Sequence, residues 1–230
     1  MLLLISILLS FILMLPLVLV SFFINLNMQA RCSWLRAGRE KMLRIILPLI
    51  CALTTSLAQA RQIEGVNFPD ETQVNGTKLV LNGAGLRTKR KFGMNWRVYV
   101  AGLYLPSKTQ DAAAIVSSAN EKMLELIFLR SVDKDTLREA WSEGFEKNCK
   151  SDCEAARGAL KSFNELMVDV QEKSRLRLTF EKDAVSVEVE GKTVSRGKIP
   201  GEAFRRAVLA IFIGDEPPTP DLKKGLLGGA

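Results

Sequence analysis

The order of the predicted elements indicates an α+β fold, in which an antiparallel sheet is covered by helices on one face. Extended segments come first in residues 61–230, two helices follow, and a hairpin and a last helix come after them. Strands and helices that are grouped in this way are typical of the α+β class. No linker or repeat divides residues 61–230, which predicts a single domain.

The first predicted strands lie around a turn and a long apolar segment. Val74–Thr77 contains Asn-Gly, which favours a tight hairpin turn, and the extended segment Lys78–Leu81 runs into Asn82–Gly85. Phe92–Leu105 is rich in Val, Tyr, Trp and Leu, which predicts a long strand that is covered on both faces. Strict alternation places Trp96, Val98, Val100 and Tyr104 on one face and Tyr99, Ala101, Leu103 and Leu105 on the other.

The next segments alternate between helix and strand signals. Asp111–Ser118 is a short predicted helix, and Met123–Arg130 is a predicted strand. Two longer helices are predicted to begin at the capping boxes Thr136-x-x-Glu139 and Ser151-x-x-Glu154. Their apolar residues recur at helical spacing. These residues are Leu137, Ala140, Trp141, Gly144 and Phe145 in the first helix, and Ala156, Ala159, Leu160, Phe163, Met167 and Val170 in the second.

The last predicted elements are a hairpin and a helix. Arg175–Phe180 and Ala184–Val189 alternate apolar and polar residues around Lys182-Asp183, as two paired strands do. The last helix, Glu202–Phe212, ends at Gly214, and Pro217-Pro218 prevents its continuation.

Composition excludes several classes of function. The chain has no histidine, which excludes a Ser-His-Asp triad, a Cys-His pair and a mixed Cys/His zinc site. Lys and Arg number 32 against 25 Asp and Glu, but residues 61–230 hold 27 basic and 24 acidic groups. A domain so close to charge balance argues against a nucleic-acid partner. No acidic cluster suggests a metal, and no motif suggests a cofactor.

The first 60 residues are typical of an export leader. Residues 1–41 form an apolar and basic extension, and its uncharged part, Met1–Leu26, is long enough to span a bilayer. Residues 42–60 have the pattern of a signal peptide that is cleaved after Ala60. Either translation begins at Met42, or residues 1–41 are a real membrane anchor. Both alternatives export residues 61–230, which predicts a periplasmic or secreted domain, or a membrane-anchored one if residues 1–41 are translated.

Cys149 and Cys153 are the two cysteines of the predicted mature chain. A pair of cysteines in an oxidising compartment favours a disulfide, and two free thiols are the alternative. Their three-residue spacing allows a bond only if the helix breaks between them. Polar residues 150–152 are typical of such a break.

The segment Gly83–Arg87 reads G-A-G-L-R and has two interpretations. It lacks the third glycine and the Lys-Ser/Thr of a phosphate loop, and no helix follows it. It is either a strand bend with a solvated Arg87, or a place where the backbone approaches a ligand while Arg87 presents its donors to a carboxylate or carbonyl. Spacing alone favours the first interpretation.

Four motifs occur in the order in which one protein family has them. They are Leu81–Arg87, Val98–Leu105 (V-Y-V-A-G-L-Y-L), the helix end Asn148-Cys149, and the tail Ala207–Gly214 with Pro220–Lys223. Together they resemble the chalcone isomerase family, closest to its bacterial chalcone-isomerase-like group, over residues 66–228. The resemblance implies an open-faced β-sandwich, in which a helical layer lies on a large antiparallel sheet and a ligand cleft lies between them.

The resemblance also implies a set of site residues. In the isomerases an arginine polarises the substrate carbonyl, while a threonine, a tyrosine and an asparagine complete the site. Arg87 and Asn148 match two of these positions, but Tyr99 stands at the threonine position and Trp141 at the tyrosine position. An indole N–H only donates and has no hydroxyl to relay a proton, so both changes oppose isomerase chemistry.

Non-catalytic relatives of the isomerases resemble fatty-acid-binding proteins and hold a carboxylate with an arginine and a tyrosine. Arg87 and Tyr99 match this pair, and Trp141 and Asn148 are the other expected ligand-binding residues. The resemblance therefore predicts an exported, non-catalytic binder of a fatty acid or a similar small hydrophobic ligand, with no cofactor. The alternative is an isomerase that closes a ring in a chalcone-like enone.

Overall fold

A computed structural model of the chain describes residues 61–91 and 93–229, and of Lys91 only the backbone. The predicted extension 1–41 and signal peptide 42–60 lie outside the described residues. Contacts group Ala58–Ala230 into one compact unit. The described residues of this unit form two hydrophobic clusters, which are described below.

The described residues form nine strands. They are β1 Arg61–Ile63, β2 Val66–Phe68, β3 Glu71–Val74, β4 Thr77–Lys91, β5 Met94–Leu105, β6 Lys122–Phe128, β7 Arg175–Phe180, β8 Ala184–Glu190 and β9 Val194–Pro200. β3 to β9 form one seven-stranded antiparallel sheet in chain order, and β1 pairs with β2 in a separate hairpin. Each strand of the large sheet therefore pairs with its neighbours in sequence, although a short helix lies between β5 and β6 and two longer helices lie between β6 and β7.

Five helices accompany the sheet in the described part of the chain. They are α1 Ala112–Ser117, α2 Lys134–Asn148, α3 Cys153–Glu165, α4 Glu202–Ile213 and α5 Pro220–Leu226. The predicted α+β class is confirmed. Strand β9 and helix α5 were not among the elements predicted from periodicity, because neither carries a regular apolar pattern of useful length.

Both predicted capping boxes are wrong. Helix α2 begins after Asp133, whose carboxylate accepts a hydrogen bond from the Thr136 backbone N–H at 2.8 Å. Thr136 is therefore inside the helix, because an aspartate three residues earlier takes the capping position. Helix α3 begins after Asp152, which has a left-handed backbone (φ 55°) and no side-chain cap, so Ser151 lies outside the helix.

Both faces of the sheet are covered where β4, β5 and β6 run together. Helices α2 to α5 pack on one face in a large cluster that includes Leu103 and Leu126. A smaller cluster on the other face includes Val100 and Tyr104, and Phe68 of β2 packs onto it. The prediction that β5 is covered on both faces holds for Val100–Leu105, whereas its first residues, Met94 and Asn95, are exposed.

The Gly-Ala-Gly segment lies inside the continuous strand β4, not in a turn. Helix α5 packs directly on it: a Cβ atom at Gly85 would lie 2.8 Å from the Leu222 carbonyl oxygen, and one at Gly83 would meet backbone atoms of Gly225 and Gly228. The neighbouring Asn82 donates from Nδ2 to the Leu226 carbonyl at 2.8 Å. These glycines therefore allow a helix of the same chain to approach, not a ligand.

Two buried cations share one carbonyl at the end of α1. Lys122 Nζ and Arg205 Nη1 each donate to the Ser118 carbonyl at 2.6 Å, and Lys122 also donates to the Asn120 carbonyl at 2.8 Å. Arg205 is fully buried, and its nearest described carboxylate, on Glu202, is 3.9 Å away. Burial, with a contribution from the charge of Arg205, lowers the pKa of the Lys122 amine to about 8.

We expect this buried lysine to make the domain more stable at mildly alkaline pH. The unfolded lysine keeps its proton up to a pKa of about 10.5, whereas the folded one loses it near pH 8. The unfolded state therefore binds more protons between these values, and the free energy of unfolding should rise by about 2 kcal/mol from pH 7.5 to 9.5. Urea unfolding across this range, with the disulfide kept intact, measures the rise. The Lys122→Met variant should show a flat profile, and an equal rise in that variant would contradict the assignment.

Candidate functional site

A cleft of about 230 Å³ opens between the sheet and the helical layer. Strands β4, β5 and β6 form one wall, helices α2 and α4 form the other, and the segment 216–218 after α4 closes one side. Its surface is largely apolar. The side chains that define it are Arg87, Tyr99, Phe128, Trp141, Ile211 and Phe212.

A β-bulge places the two polar sheet residues of the cleft. Arg87 and Tyr99 are direct partners across β4 and β5, and the register shifts at the next pair, where Thr88 faces Arg97. Val98 is the extra residue of this bulge and also lines the cleft. Bulges re-aim side chains in this way and are frequent beside functional sites.

The bulge also changes which face of the sheet the preceding residues of β5 lie on. Lys89 pairs directly with Trp96, and Lys89 lies two residues from Arg87 on the same face of β4. Trp96 is therefore on the sheet face of Arg87 and Tyr99, and the expectation that it shares a face with Val100 is wrong. Strict alternation fails here because one strand contains an additional residue.

Arg87 and Tyr99 present donors to the cleft. The Arg87 guanidinium donates one hydrogen bond to the Thr88 carbonyl and forms no ion pair with any residue that the structure describes. The Tyr99 hydroxyl has no hydrogen-bond partner within the same described segments. Burial raises the pKa of the Tyr99 phenol, and the charge of Arg87 only partly opposes this shift. At neutral pH the phenol therefore keeps its proton and can donate it in a hydrogen bond.

Trp141 forms the helical wall of the cleft. It lies on the apolar stripe of α2 and packs edge-to-face on Phe163 and Phe212, with ring centroids 4.9 and 5.5 Å away. Its side chain is 6% exposed, and its indole N–H finds no acceptor on the described part of the chain. The cleft is thus lined by a guanidinium, a phenol and an indole, each of which can donate a hydrogen bond, on a largely apolar surface.

The rim of the cleft carries further charges that sequence reasoning did not single out. Lys89 lies on β4, and Lys147 pairs with Glu143 on α2 at 2.6 Å. Lys147, with smaller contributions from Lys89 and Arg87, lowers the pKa of the Glu143 carboxyl. The sequence spacing could have indicated these residues. Lys89 is two residues from Arg87 on a strand, which places both on one face, and Glu143 and Lys147 are four residues apart on a helix, where they can form an ion pair.

The structure does not bring Asn148 into the cleft. Its Nδ2 donates to the Gly144 carbonyl at 3.0 Å and to the Glu216 carbonyl at 2.9 Å, and its Oδ1 accepts from the Glu216 N–H at 3.1 Å. These bonds join the end of α2 to the segment after α4, whose Pro217 and Pro218 line the cleft. Asn148 therefore positions one side of the cleft and does not face a ligand.

Cys149 and Cys153 form a disulfide in the structure, with their Cα atoms 5.8 Å apart. The bond spans the break between α2 and α3. It lies at the far end of α2 from Leu137 and does not line the cleft. The disulfide therefore links two helices of the covering layer covalently.

Two features of the described residues bear on the kind of site. Within residues 61–91 and 93–229, no group of three or more acidic or cysteine side chains could hold a metal ion. In the same part of the chain, no helix has the length and hydropathy that crossing a bilayer requires.

A curled antiparallel sheet with a helical layer and a cleft between them defines an α+β fold of the open-faced sandwich type. The family described as chalcone isomerase-like matches residues 60–228, and the chain belongs to this family. The resemblance seen in the sequence motifs is therefore confirmed, and so is the open-faced fold that it implied.

A solved structure with the same fold is a fatty-acid binding protein from Arabidopsis thaliana. It is 20% identical to this chain, with a TM-score of 0.61, and the match covers 74% of this chain and 96% of that chain. At this level of identity the likeness shows the fold. A comparison with curated proteins found no match.

Proposed function

We propose that the cleft binds a fatty acid or a similar amphiphilic carboxylate and does not transform it. The observation that carries the proposal is the pairing of Arg87 with Tyr99 across one bulged strand pair, with their donors directed into an apolar cleft. A carboxylate accepts from both, and the apolar walls formed by Phe128 and Trp141 suit its hydrocarbon part.

The two parts of such a ligand contribute differently to its affinity. A hydrogen bond to a charged group contributes about 1.5–3 kcal/mol. Each buried CH₂ adds roughly 0.8 kcal/mol, so a chain of a few carbons supplies most of the binding energy. Arg87 and Tyr99 then set the orientation of the ligand, with its head at the sheet.

The comparisons support this proposal over the isomerase alternative. The similar Arabidopsis structure is titled a fatty-acid binding protein. The phenol of Tyr99 has a raised pKa and Trp141 has no hydroxyl, so neither supplies a base at neutral pH. Arg87 matches the arginine of the isomerases, but the residues at the two hydroxyl positions, Tyr99 and Trp141, oppose ring closure of an enone.

The location of the binder belongs to the same proposal. Residues 42–60 have the signal-peptide pattern, and cleavage after Ala60 would leave a chain that begins at Arg61, the first residue of β1. The exported domain would then bind its ligand outside the cytoplasm. The disulfide between Cys149 and Cys153 suits an oxidising compartment.

We expect Arg87→Met to weaken binding of a fatty acid by about 10- to 150-fold, since it removes a charge-assisted contact and keeps the side-chain volume. Native mass spectrometry of the protein recovered from cells gives both the start of the mature chain and any bound lipid. Titration of the delipidated protein with a fatty-acid series then gives the dissociation constants. Lys182→Met is the control, because Lys182 is an exposed cation far from the cleft in the β7–β8 turn.

Two results would contradict the proposal. One is equal affinity in the wild type and in Arg87→Met. The other is turnover of a chalcone-like enone by the wild type that Arg87→Met abolishes, which would replace the binder by an isomerase. Recovery of a chain that begins well before Arg61 would contradict cleavage after Ala60 and leave the binding result intact.

A further inference from the structure

The positive charge of the domain is concentrated in one hairpin. Residues 87–97, from the end of β4 to the start of β5, contain five basic residues and no acidic one. The other residues of 61–230 hold 22 basic and 24 acidic groups. Without this segment, called here the basic hairpin, the domain would carry a small net negative charge.

The basic hairpin projects beyond the strand next to it. The last pair between β5 and β6 is Tyr99 with Phe128, whereas β4 and β5 stay paired as far as Lys91 and Met94. Lys89 and Arg90 are exposed and form no ion pair with any described residue. Arg97, at the base of the hairpin, pairs with Glu64, so Lys89 and Arg90 are the exposed cations that remain available to an external anion.

An apolar side chain accompanies these charges. Met94 is 57% exposed and is one of only two large hydrophobic side chains exposed to that degree within the described segments. Beside it, the Arg130 guanidinium lies over the Trp96 ring, 4.1 Å from the ring centroid. Basic and apolar groups together on one edge are what binding to the interface of an anionic membrane requires.

The basic hairpin is also part of the cleft. Arg87 and Lys89 line the cleft, while Arg90 and Met94 lie a few residues further along the same hairpin and do not. A surface that contacts the hairpin would therefore lie next to one side of the cleft. Amphiphilic ligands reside in membranes, so this arrangement brings the cleft to the place where they are found.

We propose that the basic hairpin docks on the surface of an anionic lipid bilayer, with Lys89 and Arg90 among the headgroups and Met94 in the interface. The docking step depends on the positive charge of the basic hairpin and on the exposure of its side chains. The transfer of a ligand between bilayer and cleft rests in addition on the proposed function. Each cation near an anionic surface strengthens binding by about fivefold, and this attraction weakens with salt.

The test is sedimentation of residues 61–230, which contain both hydrophobic clusters, with lipid vesicles. Vesicles of phosphatidylglycerol and phosphatidylcholine should bind the domain at low salt, and pure phosphatidylcholine should not. Arg90→Glu reverses one charge at the hairpin and should weaken binding by about 30-fold. Met94→Ser should weaken it by a smaller factor without changing its salt dependence.

Lys182→Glu is the matched control. It makes the same change of charge on an exposed residue at the opposite end of the sheet, since β7 ends beside the start of β6. This variant should bind anionic vesicles nearly as the wild type does. Equal weakening by Arg90→Glu and Lys182→Glu would show that only net charge matters, and the proposal would be wrong.

Other outcomes also overturn the docking surface. They are equal binding to pure phosphatidylcholine, no binding to anionic vesicles, and tighter binding to a DNA duplex than to anionic vesicles at equal phosphate concentration. Fatty-acid titration of Arg90→Glu without vesicles keeps the two proposals apart. Unchanged ligand affinity together with lost vesicle binding supports docking, whereas lost docking and lost ligand affinity together would assign Arg90 to the cleft and overturn a separate surface.

Discussion

The Gly83→Ala variant is expected to lose at least about 3 kcal/mol of its free energy of unfolding. The added Cβ would overlap the Gly225 carbonyl oxygen and would lie 2.6 Å from the Gly228 nitrogen and 2.8 Å from the Leu226 carbonyl oxygen. All three are backbone atoms, which cannot turn aside as a flexible side chain can. Helix α5 must therefore move off β4, and Leu222 and Leu226, both fully buried, lose part of their packing.

Gly158→Ala is the matched control for this prediction. Gly158 lies inside α3, and a Cβ atom there would have no neighbour within 4 Å. Alanine has the higher helix propensity, so this variant should gain up to about 1 kcal/mol. Urea unfolding at neutral pH compares the two. A Gly83→Ala domain as stable as the wild type would show that α5 does not rest on the glycines of β4.

Removal of the Trp141 ring is expected to cost about 3–5 kcal/mol of unfolding free energy, as large-to-small changes of buried aromatic residues do. The ring is 6% exposed and has edge-to-face contacts with both Phe163 and Phe212. Because it also forms one wall of the cleft, Trp141→Ala should weaken the binding of a fatty acid as well. Unfolding and ligand titration of the same variant measure the two effects.

Two controls separate the roles of Trp141. Trp141→Phe retains an aromatic ring and leaves a smaller cavity, so it should cost less unfolding free energy and less ligand affinity than Trp141→Ala does. Trp96→Ala removes a tryptophan that is only half-buried, on the basic hairpin, and should cost clearly less than Trp141→Ala. Equal losses for Trp96→Ala and Trp141→Ala would contradict the placement of Trp141 in the core.

Much of the fold could be predicted because its elements are local. The turn at Asn75-Gly76 has positive φ at both residues, 48° and 84°, as a two-residue hairpin requires. Three residues of the predicted stripe on α2, Leu137, Trp141 and Phe145, are buried, whereas Ala140 is exposed. The errors were local as well. The capping residue of α2 is Asp133 and not the predicted Thr136, because aspartate is a strongly preferred residue at the N-cap position.

The candidate site was harder to predict than the fold. Arg87 and Tyr99 came from a family resemblance, and the structure places them as direct partners across the sheet. Asn148 came from the same resemblance, but its three hydrogen bonds are made within the protein. A motif can identify the residue type at a position, but not whether its polar atoms face a ligand or a neighbouring segment.

The sequence by itself determined the α+β class, the near balance of charge in residues 61–230, and a chemistry that needs no histidine. These properties depend on composition and on patterns within a few residues of one another. Only the tertiary structure decided that the glycines of β4 contact helix α5, that a bulge aims Arg87 and Tyr99 into one cleft, and that the basic hairpin lies beside this cleft. The physical reason is that register and helix docking depend on contacts between distant segments, such as α5 with β4, which no local pattern specifies.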